Sequence, residues 1–379
     1  MANRPLTEQD LALNEPLKWH IFDGEGRLLV KKGMVLRSER QIAKIIRLSS
    51  FIKTKDEEID SELADSVSSD LSPFHHIDNV LNKLNKIFRY IVYKPANPEK
   101  KIPDKLMTIS KNIVGLCEYD MDATLGAIHV GQEYDYTVIH PLHCAIISYS
   151  LAQKIGINDN RLNSIICAAL TSNLGMFDLQ RKLFEQQGPL NEIQRKEVEK
   201  HTMRSTVLLK RIGVIDKLWT EVVLQHHEKQ DGTGYPRKLA GKDFILEARI
   251  LAIADRYHAM VSPRTYRDSL SPTEALKNIF QGRGKEVDES LSAMLIKEMG
   301  IFPPGSYVQL ASKEVAIVAR RGEDRMKPLA KAIVAPDGRY YDKPKSRDTG
   351  DKKYRIAGLT NPPVNYDHNL PQLWDYDLD

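Results

Sequence analysis

From residue 122 to residue 299, apolar positions recur at intervals of three and four, the pattern of amphipathic helices. The breaks fall at Gly156, Gly188-Pro189, Gly213 and the loop 231–236. A stretch of this length can bury a core of its own. Ahead of it, Phe74, Ile77, Leu81, Leu84 and Ile87 share one face of a helix starting near Pro73, and another helix is expected after Pro103. Residues 16–50 read differently. The segment 19–22 is strand-like, Asp23-Gly24-Glu25-Gly26 is a turn, and a second strand covers 27–31. Ser38 looks like the N-cap of a helix carrying Ile42, Ile45, Ile46 and Leu48. Past residue 303 the runs Tyr307–Leu310, 314–319 and Leu329–Val334 are short and β-rich, with a turn at Pro336-Asp337-Gly338. The expected fold is mainly α, a helical bundle with a small N-terminal α+β unit and a small C-terminal β module.

These changes of pattern divide the chain into an α+β unit (1–55), a linker (56–72), a helical connector (73–121), the main helical domain (122–302), the β module (303–345) and a tail (346–379). The linker assignment rests on charge. Residues 56–70 hold seven acids and no Lys or Arg. The tail from residue 359 onward holds four Asp, no Lys or Arg, and the aromatic pair Trp374 and Tyr376, which suits a loose tail or a strap over the domain.

Formal net charge is only +4, so binding to polymeric nucleic acid is not expected. Cys117, Cys144 and Cys167 form no CxxC pair, which argues against a disulfide framework, fits a cytoplasmic location and leaves them as buried fillers. The start MANRPLTEQD has no apolar core of a signal peptide, and no run of 18 apolar residues suggests a membrane span.

The strongest local signal is His226-His227-Glu228-Lys229-Gln230-Asp231-Gly232-Thr233-Gly234-Tyr235-Pro236. Trp219, Val222, Val223 and His226 share helical spacing, so the first histidine continues an inward apolar face. The glycines permit a sharp loop and Pro236 stiffens it. The string resembles the HH…DGxGYP signature of the bacterial HD-GYP family, the helical fold of cyclic di-GMP phosphodiesterases. The resemblance implies a helical HD-superfamily bundle over nearly half of the chain. It also implies metal ligands: His140 in YDYTVIHPLH, His201 in EKHTMRS, the pair His226 and His227, and Asp255 in ILAIADRYHAM. Arg264 and Arg267, beyond the helix break at Pro263, match positions that present cations to the dinucleotide phosphate. Without the family, two arginines at a helix break are ordinary surface residues, and a lone His140 or His201 is an ordinary core histidine. His75-His76 reads as a surface pair, and His143 as structural.

The family chemistry is that of a two-metal hydrolase, with two cations roughly 3.5–4 Å apart around the scissile phosphate. Close dications repel, so a bridging carboxylate is needed, and the resemblance assigns that role to the Asp of the HD pair. Here the pattern of the kind LLHDIGK becomes Leu170-Thr171-Ser172-Asn173-Leu174-Gly175-Met176. Ser172 stands for the histidine, Asn173 for the bridging aspartate and Met176 for a lysine near the substrate phosphate. Asn173 has the shape of Asp but is neutral, and cannot bridge two cations well. Tyr136 stands where some members carry an extra Glu, and His258 where the family has a second Asp.

The expectation is a degenerate signalling protein that binds cyclic di-GMP, a related nucleotide or a protein partner, with little or no hydrolysis. Its His201, His226 and His227 could hold one divalent transition metal (Fe, Mn or Zn), while His140 and Asp255 alone make a weak site. The rivals are a phosphodiesterase with an altered one-metal site and a scaffold with a relic pocket. The loop Asp231, Gly232, Gly234, Tyr235 and Pro236 is the candidate contact for a signalling partner.

Overall fold

A computed structural model describes residues 72–93, 101–130, 134–262, 269–363, 366 and 369–376, together with scattered positions between 4 and 52. The chain divides into two compact units, Met1–Asp65 and Ser66–Asp379.

In the first unit, β1 (Arg4–Pro5), β2 (Ile21–Phe22), β3 (Leu28–Val30) and β4 (Phe51–Ile52) form an antiparallel sheet in the order β1-β4-β2-β3. Residues 41–42 and 45–46 are helical. Leu11, Leu17, Ile21, Leu36 and Ile45 make its core. Both predicted strands and the helix thus have counterparts, while the turn 23–26 and the acidic run 56–70 lie outside the described residues.

The second unit opens with α1 (Pro73–Tyr93), α2 (Ile102–Tyr119) and α3 (Met121–His129). Its central element is α4 (Tyr136–Ile155), capped by Asp135, whose side chain accepts from the Thr137 amide, and closed by Gly156 at φ 78°. Burial around nearly all of its circumference explains why its sequence lacks a polar stripe. α5 (Asp159–Thr171) packs beside α4, and a 3₁₀ turn (Leu174–Met176) leads into α6 (Phe177–Glu185). Within Asp159–Glu185 an 18-residue window has a mean hydropathy of 1.2, enough in length and composition to cross a membrane, but 72% of that window is buried inside this unit. Then come α7 (Glu192–Glu199), α8 (His201–Arg211), α9 (Lys217–Gln225), α10 (Leu246–Val261), α11 (Pro272–Gln281) and α12 (Glu289–Met299). α10 lies against α4, and these two helices carry half of the site described below.

The β module is a five-stranded antiparallel sheet of β5 (Tyr307–Leu310), β6 (Val315–Arg320), β7 (Leu329–Val334), β8 (Tyr340–Asp348) and β9 (Ile356–Leu359), in the order β8-β7-β6-β5-β9. It runs past the expected boundary at 345, because β8 alternates polar and exposed positions and carries no apolar signal. The tail is a strap where it is described. α13 (Leu370–Leu373) delivers Trp374, 1% exposed, whose indole Nε1 donates to the Ala319 carbonyl at 2.7 Å and whose ring lies 5.1 Å from Phe74. Gly126 admits this ring: a Cβ there would meet Trp374 Cζ2 at 2.1 Å. Tyr376 donates to Asp120 at 2.6 Å, and Arg320 pairs with the same carboxylate at 2.8 Å. One surface expectation fails: His76 is buried on the inner face of α1, and His75 meets the Ser72 hydroxyl at 2.8 Å.

Emptying the Trp374 socket leaves a cavity between α3 and the sheet. Trp374→Ala should lower the unfolding free energy by about 3–5 kcal/mol. Denaturant titration measures this, and a change below about 1 kcal/mol would mean that the strap is not part of the core.

Candidate functional site

Two glycines bring the elements of the site into contact. Gly175, in the 3₁₀ turn, lies so close to α8 that a Cβ would stand 2.5 Å from the His201 carbonyl oxygen. The Gly175 amide donates to Ser205 Oγ at 2.8 Å, and Ser205 Oγ donates to the Ser172 carbonyl at 2.6 Å. Gly234 allows the loop 231–236 to fold back, since a Cβ there would stand 2.5 Å from the His227 carbonyl oxygen. Asp231 shapes the loop by accepting from the Thr233 amide at 3.0 Å and hydroxyl at 2.6 Å.

His201, His226 and His227 then converge, with donor atoms all within 4.8 Å of one another. His226 Nδ1 donates to the Val223 carbonyl at 2.7 Å, and His201 Nδ1 donates to the Val198 carbonyl. A carbonyl only accepts, so both rings carry their proton on Nδ1. Their Nε2 lone pairs therefore face each other, 3.3 Å apart. Two lone pairs at that distance repel unless a cation lies between them, and backbone-fixed tautomers of this kind are how metal-binding histidines are oriented. The donor set fits a divalent metal. Tyr235 stacks on His227, ring centroids 4.9 Å apart at 25°, so its ring covers the cluster.

The other candidate ligands form a second group. His140 Nε2 lies 2.9 Å from Asp255 Oδ1, and His140 Nδ1 lies 2.7 Å from His258 Nδ1. His258 Nε2 continues to His143 Nδ1 at 2.8 Å. With Asp255 ionised, neutral tautomers satisfy the row throughout. His140 donates to the carboxylate, His258 to His140, and His143 to His258, which leaves His143 Nε2 buried with no partner among the described residues.

Between the groups lies a cavity of about 170 Å³. His140, Asn173, Gln180, His227 and Asp255 supply its polar wall, and Phe184 belongs to the apolar side. Asn173 Oδ1 and Gln180 Oε1 are buried with no hydrogen-bond partner among the described residues. Met176 lines the cavity too, whereas Ser172 turns away, its hydroxyl donating to the Ala169 carbonyl at 3.2 Å.

An HD domain profile matches residues 135–291. Residues 135–291 form an HD domain of the HD-GYP type. A cyclic di-GMP phosphodiesterase of Pseudomonas aeruginosa is 25% identical over 67% of this chain and 62% of its own length. One from Borreliella burgdorferi is 22% identical over 55% of each chain, and a 3'3'-cGAMP-specific phosphodiesterase of Vibrio cholerae is 28% identical over 46% of this chain and 38% of its own. The chain thus spans 62% and 55% of the length of the first two relatives. In fold, it resembles an HDG"Y"P protein from Bdellovibrio bacteriovorus, with a TM-score of 0.55 at 16% identity over 78% of this chain and 99% of the other.

Within the HD domain the expected ligands sort into the two groups above. Arg264 and Arg267 lie outside the described residues. The sequence reads Cys144 as a buried filler and His143 as structural, gives no sign of Gln180, and marks His258 only as a missing aspartate. The spacing of His140 and Cys144, one helical turn apart, was the available signal.

Burial pushes His143, His201 and His226 down to about 3, and His129 and His227 to about 4. Burial alone would raise the Asp255 carboxyl, but the hydrogen bond from His140 and the surrounding imidazoles hold it well below the usual carboxylate range. The unfolded chain, with histidines near 6.5, takes up more protons than the fold below that pH. Stability is therefore full above about 6.5 and is lost as pH falls towards about 3–4. The thermal midpoint should drop between about pH 7 and about pH 5, and a flat profile would show that these histidines are not held neutral.

Proposed function

We propose that this protein is a degenerate HD-GYP signalling protein that binds cyclic di-GMP or a related phosphorylated nucleotide and hydrolyses it little or not at all. The observation that carries the reading is Asn173 on the cavity wall, a neutral amide where two cations would need a bridging carboxylate. Names of the relatives in cyclic dinucleotide hydrolysis support the ligand class.

His201, His226 and His227 would hold one Fe, Mn or Zn ion, which when bound supplies a Lewis acid for a phosphate oxygen. Asn173 and Gln180 would hydrogen-bond the ligand, with Tyr136 and Phe184 as an aromatic wall. The cavity is below the roughly 300–1,000 Å³ of ordinary ligand sites, so it takes one end of a dinucleotide and leaves the rest at the mouth. Arg264 and Arg267 would grip a phosphate of the ligand. The setting is the cytoplasm. The loop 231–236 would meet a signalling partner with its exposed Asp231 and Thr233, since Tyr235 is engaged with His227.

A second reading, a phosphodiesterase with an altered one-metal site, draws on the facing Nε2 atoms of His201 and His226. One assay separates the two: calorimetry with cyclic di-GMP and Mn²⁺, followed by chromatography of the products. Binding without products is expected. Arg264→Ala should weaken binding roughly 10- to 100-fold, the equivalent of one charge-assisted contact of about 1.5–3 kcal/mol. Turnover in the ~1–10³ s⁻¹ range of ordinary enzymes would overturn the non-catalytic reading, and absence of binding would overturn the ligand.

A further inference from the structure

A second set of metal donors stands behind the cavity wall. His140 and Cys144 are one turn apart on α4, and His258 reaches them from α10. Their donor atoms lie within 4.8 Å of one another, and all three side chains are at most 2% exposed. His258 Nδ1 is 2.7 Å from His140 Nδ1, and Cys144 Sγ is 3.9 Å from the same atom and 3.6 Å from His140 Nε2. A tetrahedral zinc with bonds of ~2.0–2.1 Å to nitrogen and ~2.3 Å to sulfur has ligand-to-ligand edges of roughly 3.3–3.6 Å. The observed separations bracket that range. The Tyr136 hydroxyl lies 3.2 Å from His140 Nδ1.

The surroundings suit a cation. His140 keeps its Nε2 bond to Asp255, the carboxylate–histidine arrangement that orients metal-bound imidazoles. His143 and Ser262 hold the outer edge of His258, at 2.8 and 3.1 Å. A Cys144 thiolate and the Asp255 carboxylate together balance a dication, which the three neutral imidazoles of the other cluster do not. Cys144 and His258 are not among the described residues that line the cavity.

We propose that His140, Cys144 and His258 form a buried site for a thiophilic divalent cation of the zinc class, separate from the His201, His226 and His227 cluster. Binding at the two Nδ1 atoms moves the His258 proton from Nδ1 to Nε2 and the His143 proton from Nδ1 to Nε2, so the imidazoles stay neutral; the Cys144 thiol proton leaves to solvent, and the His140 and His258 rings move apart by about half an ångström. The cation ties α4 to α10 and needs no bridging carboxylate, because it does not share a centre with the first cluster. The site is independent of whether a nucleotide binds.

X-ray absorption at the zinc edge, on the intact zinc-loaded protein, should show a sulfur scatterer at about 2.3 Å. An all-nitrogen and oxygen shell would overturn the proposal without any variant. Titration of the metal-free full chain with Co²⁺ should give a thiolate-to-cobalt charge-transfer band in the near ultraviolet. Cys144→Ser should abolish that band and keep the weaker visible bands of the histidine cluster, while His226→Ala should keep the band. A band that survives in Cys144→Ser would overturn the assignment, since it would come from Cys117 or Cys167.

Discussion

The hydrogen bond from His140 on α4 to Asp255 on α10, at 2.9 Å, is the contact on which the site is built. A half-buried carboxylate left without a donor would cost several kcal/mol, so the two helices are held in one register by the need to satisfy it. From that bond follow the direction of His258, the position of His143 behind it, and the orientation of the cavity's polar wall. Isolated imidazoles in a low-dielectric interior lose their charge, and burial holds five histidines of this site below the usual imidazole range: His143, His201, His226, His227 and His258.

The opposite half of the site depends on close approach of backbones. Gly175 lets α8 lie on the turn after Ser172 and Asn173, and Gly234 lets the loop fold back until Tyr235 covers His227. The segment thus serves packing, and that packing by itself requires its glycines.

How far sequence reasoning reaches differs from residue to residue. The convergence of His201, His226 and His227 was readable only through the resemblance to the HD-GYP signature. The inward face of α9 and the breaks at Gly156 and Gly213 were readable from the local pattern. The extent of the β module was not, because β8 is a polar edge strand whose place is set by pairing with β7. The burial of His76 was not legible, because a histidine in the first turn of a helix carries no sign of which face it takes.

The chain by itself determined the helical bundle, since periodicity and turn chemistry are local properties, and its resemblance to the HD-GYP signature singled out His201, His226 and His227. Only the tertiary structure decided that Cys144 faces His258, that Asn173 and Gln180 meet across one small cavity, and that Trp374 enters the notch at Gly126. His140 and His258 are 118 positions apart, and Trp374 and Ala319 are 55 apart. Contacts at such separations depend on how helices and sheet pack together, and packing is a property of the assembled core that no local pattern carries.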